Sequence, residues 1–151
     1  MSTKEILPAT NSKTLEILTW FVHDQLYGLF LEDCKEVIKN IDILSIPHSK
    51  KYVAGIHNLR GEIITVIDVG VKLGYPKKVI ERGKSVIRLK EKSKVSIMAD
   101  KINDILEISS DLLELPPSNL NEQEMKCISF VVNSEKGVIL IVNLKGITEI
   151  E

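Results

Sequence analysis

Few residues of this chain could do chemistry, and their spacing does not suggest catalysis. The three histidines, His23, His48 and His57, fall in turn or strand contexts. None stands in the His-Glu-x-x-His or His-x-His spacing that would put two imidazoles on one metal. The two cysteines, Cys34 and Cys127, are far apart and form no Cys-x-x-Cys pair, so they read as free thiols filling apolar space in a reducing cytosol. There is no Gly-x-Ser-x-Gly elbow, Walker loop or Gly-x-Gly-x-x-Gly turn. Asp68 and Asp100 each end an apolar strand, so a carboxylate pair is conceivable, although local bonds to turn amides account for them more simply. The residue left over is Arg60, a planar cation with five donors in the turn Asn58-Leu59-Arg60-Gly61. It is either a surface ion pair, worth little to stability, or an anchor for a partner.

The elements that would position Arg60 run from Val53 to Asp68. Both flanks are rich in Val and Ile, which fit a half-buried pleated surface, and Gly61 can take the positive φ that closes a hairpin. Earlier in the chain, Leu15 to Val22 and Leu26 to Leu31 form a hairpin around His23-Asp24-Gln25. Glu32 to Ile38 reads as a short helical turn, with acids at its start and Lys39-Asn40 as its end. Ile41, Ile43, Leu44 and Ile46 then crowd a stretch stopped by Pro47. The second half repeats the first. Ser85–Leu89 and Val95–Ala99 match the opening hairpin, and Lys101–Leu106 matches Asp33–Ile38. Asp111–Pro116 matches Asp42–Pro47, and the strands Ile128–Val132 and Val138–Leu144 match the central hairpin. Asn143-Leu144 echoes Asp68-Val69. A duplication with a period near half the length implies two similar lobes, and short strands at regular spacing imply small barrels or sandwiches.

The totals narrow the function classes. At 151 residues the chain is one domain or two small lobes and can bury roughly 70% of its unfolded surface. Twenty basic and 21 acidic residues leave a net charge of −1, which disfavours a dedicated nucleic-acid binder, and 5% aromatics disfavours a base-stacking platform. The N-terminus lacks the apolar core of a signal peptide. Runs such as Val138–Val142 are too short to cross a bilayer, so a cytoplasmic protein without direct membrane insertion is expected.

Gly55-Ile56, Asn58-Leu59-Arg60-Gly61 and Val66-Ile67-Asp68 together resemble the signature of the CheW family of bacterial chemotaxis adaptors. Phe21 to Leu29 resembles that family's first hairpin, and Cys34, Glu36 and Val37 fall on its next motif. The resemblance runs from roughly Leu15 to Ile150. It implies an all-β fold of two SH3-like, five-stranded β-barrel lobes sharing an apolar core, with short helical segments. The expected organisation is a flexible leader over 1–14 and one CheW-like domain over 15–151. Within that domain, lobe one covers approximately 15–80, lobe two approximately 84–145, and a C-terminal segment 146–151.

The resemblance also implies a non-enzymatic adaptor with no cofactor, recruited to membrane-associated receptor arrays. Its partners would be the cytoplasmic tip of a methyl-accepting chemoreceptor and the regulatory, itself CheW-like, domain of the histidine kinase CheA. Arg60, Asn58, Cys34, Glu36 and Ile102 are the expected receptor-binding residues, in a groove between the lobes. Ile41, Ile43, Leu44 and Gly55 are the expected kinase-binding residues at one barrel end, with the apolar side chains competing between core and contact roles. The sequence departs from the family at Cys34, where Val is usual, and at Cys127-Ile128-Ser129-Phe130, where the family has Tyr-Ile-x-Gly. The alternative from another class is a small β-barrel nucleic-acid-binding module, which needs a basic face lined with aromatics.

Overall fold

The structure, a computed structural model, describes residues 12–149. Its strands are β1 (Thr14–Val22), β2 (Gln25–Phe30), β3 (Cys34–Ile41), β4 (Val53–Leu59), β5 (Glu62–Ile67), β6 (Lys84–Leu89), β7 (Val95–Ala99), β8 (Lys101–Ser109), β9 (Ile128–Ser134) and β10 (Gly137–Val142). Three short helices, α1 (Val69–Lys72), α2 (Glu122–Cys127) and α3 (Leu144–Thr148), complete the described elements with two 3-10 turns. The strands make two five-stranded sheets of the same design, ordered β8-β1-β2-β10-β9 and β3-β6-β7-β5-β4. Within each, one pair is parallel, β2 with β10 and β7 with β5.

Each sheet closes on itself through one backbone bridge beyond its named strands. Leu44 and Ile56 exchange hydrogen bonds of 2.8 and 2.9 Å, and Glu114 and Val131 do the same at 2.9 and 2.8 Å. Closure removes exposed strand edges, the usual route to unwanted pairing. Each closed sheet has its own interior. Ile17, Leu26, Val132, Ile139 and Ile141 fill one, and Ala54, Val66, Val86 and Met98 fill the other. A third cluster, with Trp20, Tyr27, Leu29, Ile87, Leu89, Ile97 and Ile147, draws side chains from both sheets and is the shared core.

The duplication is visible in the pairing, but the lobe boundaries differ from those expected. Neither 15–80 nor 84–145 forms a sheet by itself. The hairpin β1–β2 pairs with β8 and β10 from the second half, while β6–β7 pairs with β3 and β5 from the first. The two halves have exchanged their opening hairpins. A sequence pattern shows which segments resemble each other, but not which copy each one pairs with.

Other differences are local. Glu32–Ile38 is not a helical turn. A single 3-10 turn covers Leu31–Asp33, and Cys34 onward is strand. Val37 and Ile38 are β-branched and pair with Ile87 and Val86, so tertiary pairing overrides the acidic helix-start signal. The expected break survives as a bulge, with Asn40 at φ 58°. The leader ends earlier than expected. The Lys13 amide already donates to Ser110 Oγ and the Ser110 amide to the Lys13 carbonyl, and Thr14 pairs with Ser109, while 1–11 and 150–151 lie outside the described residues. Helix α2 follows a capping box, Asn121 with Glu124, that is written in the sequence as Asn-Glu-Gln-Glu.

Exchange of the hairpins predicts that 12–80 and 84–149, expressed separately, lack cooperative unfolding as monomers. Mixing the two should restore one cooperative transition by circular dichroism. Gly55 gives a second prediction. It sits at φ 153°, and a Cβ there would lie 2.2 Å from the Leu44 carbonyl oxygen. Gly55→Ala should therefore cost about 1–3 kcal/mol in denaturant unfolding.

Candidate functional site

The strands β4 and β5 pair through Leu59 and Glu62, leaving Arg60 and Gly61 as a two-residue turn. Both have positive φ, 50° and 88°, the condition for the turn type whose twist matches an antiparallel ribbon. The Gly61 amide donates to Asn58 Oδ1 at 3.0 Å, which holds the turn. Arg60 is thus a non-glycine in the left-handed region, carrying its guanidinium out from the end of the ribbon.

That guanidinium does not hang free. Arg60 Nη2 donates to Glu36 Oε1 at 2.8 Å. Glu36 lies on β3 directly across from Arg88 on β6, and Arg88 Nη1 donates to the same oxygen at 3.0 Å. Arg88 Nη2 donates to Glu62 Oε1 at 3.1 Å, and its Nε donates to the Ser93 carbonyl at 2.5 Å. The result is a chain of charges, Arg60–Glu36–Arg88–Glu62, that ties β3, β5 and β6 to the turn. The side chain of Arg60 is 66% exposed and that of Arg88 only 3%. Hydrogen bonds from Arg60 and then Arg88 hold the Glu36 carboxyl below its usual range. Nearby on β4, burial and then the Arg88 charge push the His57 imidazole below its ordinary value, so the neutral ring is favoured.

The expected receptor-binding residues divide. Arg60, Glu36 and Asn58 are joined through the turn and its ion pair. Cys34 is two residues upstream of Glu36 on the same strand, half-buried, and burial raises its thiol pKa. Ile102 is on β8 in the other sheet, and no described contact joins it to Arg60. Cys34 and Ile102 nevertheless occupy equivalent places, opposite Leu89 and Trp20, and both pack against the shared core. The expected kinase-binding residues also divide. Ile41 and Ile43 pack against the interior of the second sheet, whereas the Leu44 side chain points out and is 67% exposed. Gly55 lies beneath the Leu44 backbone.

Asp68 and Asp100 do structural work. Asp68 caps α1 by accepting from the Val71 amide at 3.2 Å. Asp100 accepts from the His23 amide at 3.1 Å and from Lys84 Nζ at 3.0 Å. Trp20 and Tyr27 are fully buried, so they offer no stacking face to a nucleic acid. Among the described residues, no helix is long and apolar enough to cross a membrane. The residue that sequence reasoning missed is Arg88. Its signal was present as a lone cation inside the apolar run Ser85-Val86-Ile87-Arg88-Leu89.

The duplicated fold has a second copy of this place. The turn between β9 and β10 brings Lys136 Nζ to Asp104 Oδ2 on β8 at 2.8 Å, as Arg60 is brought to Glu36. The position equivalent to Arg88 holds Thr19, a buried residue whose hydroxyl donates to the Asp104 carbonyl at 2.5 Å. A cation in the hairpin turn thus reaches a carboxylate on the third strand in both copies, although Lys136 stands in the place of Gly61 and Glu135 in that of Arg60, and only the Arg60 copy has a cation beneath the carboxylate.

A family model described as CheW-like domain matches residues 16–151. A chemotaxis protein CheW of Treponema pallidum is 28% identical over 141 residues, covering 90% of this chain and 83% of its own. The chemotaxis protein CheW of Thermotoga maritima is 27% identical over 138 residues, covering 91% and 89%. The crystal structure of a CheW scaffolding protein from Thermoanaerobacter tengcongensis superposes with a TM-score of 0.74 at 25% identity, over 87% of this chain and 90% of that one. With a matching domain model over nearly its whole length and a fold that superposes on that of a solved CheW, this chain belongs to the CheW-like domain family.

Proposed function

We propose that this protein is a non-enzymatic adaptor that couples the cytoplasmic tips of chemoreceptors to the regulatory domain of the histidine kinase CheA. The observation that carries this reading is Arg60, an exposed guanidinium fixed on a strained two-residue turn by Glu36 and, behind it, by Arg88. Such placement fits a binding anchor better than a contributor to stability, because an exposed ion pair contributes little and positive φ at a non-glycine costs energy. Arginine is also over-represented among the residues that dominate interfaces. The names of the relatives, chemotaxis and scaffolding proteins, support the same class.

Two surfaces divide the work. The receptor tip, a helical hairpin, docks at the Arg60 turn, with Asn58 and Glu36 fixing the turn, Cys34 supplying half-buried surface two residues from Glu36, and Ile102 linked to Cys34 through the shared core. The kinase regulatory domain docks at the Leu44 end of the second barrel, where an exposed leucine stands above Gly55. Ile41 and Ile43 support that end from inside. Each contact is small, and an array of receptors, adaptors and kinases supplies avidity through effective concentration. Such an array would recruit the protein from the cytoplasm to the membrane without a segment that inserts.

Arg60→Glu places a carboxylate opposite Glu36 and should abolish capture of a receptor cytoplasmic fragment, while the circular dichroism spectrum stays native. Unchanged affinity in that folded variant would refute the receptor assignment. Leu44→Asp alters an outward side chain, so it should weaken binding of a CheA regulatory domain about tenfold or more by calorimetry. Its thermal midpoint should stay near that of the parent, since surface changes are usually within about 0.5 kcal/mol. Native kinase affinity in the Leu44 variant would move that contact elsewhere.

A further inference from the structure

Arg88 is buried at 3% side-chain exposure, yet it bonds two carboxylates that reach solvent, Glu36 at 31% and Glu62 at 47%. A guanidinium stripped of water is tolerated where its charge and donors are met, and here Nη1, Nη2 and Nε are all engaged. Arg60 shares one Glu36 oxygen with it from the solvent side. Glu36 therefore has an inner cation that is fixed and an outer one that is exposed.

We propose that Arg88 is a positioning residue for docking at Arg60. It neutralises Glu36 from inside, so the Arg60 guanidinium can leave that carboxylate for one on a partner helix without stranding Glu36. The inference rests on the receptor reading above. Exchange of one carboxylate for another at the same cation is close to balanced only when the released carboxylate stays compensated. Without Arg88, Glu36 and Glu62 would face each other as like charges, and Arg60 would be held between them. The equivalent place on the other sheet provides the contrast. Asp104 has Thr19 beneath it instead of a cation, so Lys136 is the group that neutralises it.

The test is calorimetric binding of a soluble chemoreceptor fragment containing the helical-hairpin tip. Arg88→Gln should bind about tenfold more weakly than the parent. Adding Glu36→Gln to that variant releases Arg60 and should bind about threefold or more tighter than Arg88→Gln alone. A purely structural role for Arg88 would not be rescued by removing a second charge. Arg88→Gln binding like the parent, or a double variant no tighter than Arg88→Gln, overturns the proposal. Glu62→Gln leaves the Arg88 charge wholly to Glu36 and should bind no more weakly than the parent. A tenfold loss there, roughly 1.4 kcal/mol, also overturns it, and this arm remains decisive if Arg88→Gln does not fold. If Arg60→Glu binds as well as the parent, or the parent does not bind, the receptor reading fails and takes the inference with it. If Arg60→Glu loses binding while Arg88→Gln keeps it, only the positioning role fails.

Discussion

The pairing of each opening hairpin with the other half's third strand is the constraint on which the rest of the molecule depends. β1 must find β8, and β6 must find β3, so neither sheet is complete until both halves of the chain have been laid down. Exchange also explains the shared core. Trp20 and Leu29 on the first hairpin and Leu89 and Ile97 on its counterpart meet across the junction, and a lobe built from contiguous chain would not have to bring them together. Long-range pairing of this kind delays the reward for closing large loops, which makes the fold slow to form relative to a helical bundle of the same size. It also couples the lobes mechanically, since strain in either sheet is felt by a hairpin rooted in the other half of the sequence.

The same exchange puts Arg88 under Glu36. β6 belongs to the second half and β3 to the first, and their register sets the two residues directly across from each other. The chain of charges at the Arg60 turn is therefore a product of tertiary pairing. A lysine at position 88 would supply a point charge but could not reach Glu36, Glu62 and the Ser93 carbonyl together, because only a planar fork presents donors in those separate directions. The lowered pKa of His57 fits this arrangement, since burial and then the Arg88 charge both disfavour a second cation there.

Much of the fold was legible in the sequence, and the losses have physical causes. The ribbon β4–β5 and its turn are encoded locally by Val and Ile runs around Asn58 and Gly61, and that reading needed no tertiary information. The caps Asp68 and Asn143 were legible as an echo, and each does begin a short helix. Glu32–Ile38 was misread because acids near a helix start are a local signal, whereas the strand is imposed by β6 from far along the chain. The lobe boundaries were misread for the same reason. At the site, Arg60, Asn58 and Glu36 follow from the family pattern. Arg88 does not, because nothing in Val-Ile-Arg-Leu says which carboxylates will lie opposite. Ile43 and Leu44 are neighbours of similar hydrophobicity, and only the Leu44–Ile56 bridge decides which of them turns inward.

A duplicated fold offers an internal comparison that a single domain lacks. Wherever closure alone dictates a feature, both halves should carry it, and the bridges at Leu44 and Glu114 and the ion pairs at Glu36 and Asp104 meet that standard. Features found in only one half need another explanation. Phe130 occupies the place equivalent to Gly55 and closes its sheet just as well, so closure does not require glycine. What requires it is the φ of 153° and the close seat of the Leu44 backbone. Arg88 is unmatched in the same way, its counterpart being Thr19, and Glu62 is unmatched too, its counterpart being Gly137. Symmetry is broken elsewhere too, since α2 precedes β9 and no helix precedes β4. At the Arg60 turn, however, the two exceptions touch: Arg88 Nη2 donates to Glu62 Oε1 at 3.1 Å, so the buried cation and the added carboxylate come as a pair and neither has a reason to stand there without the other.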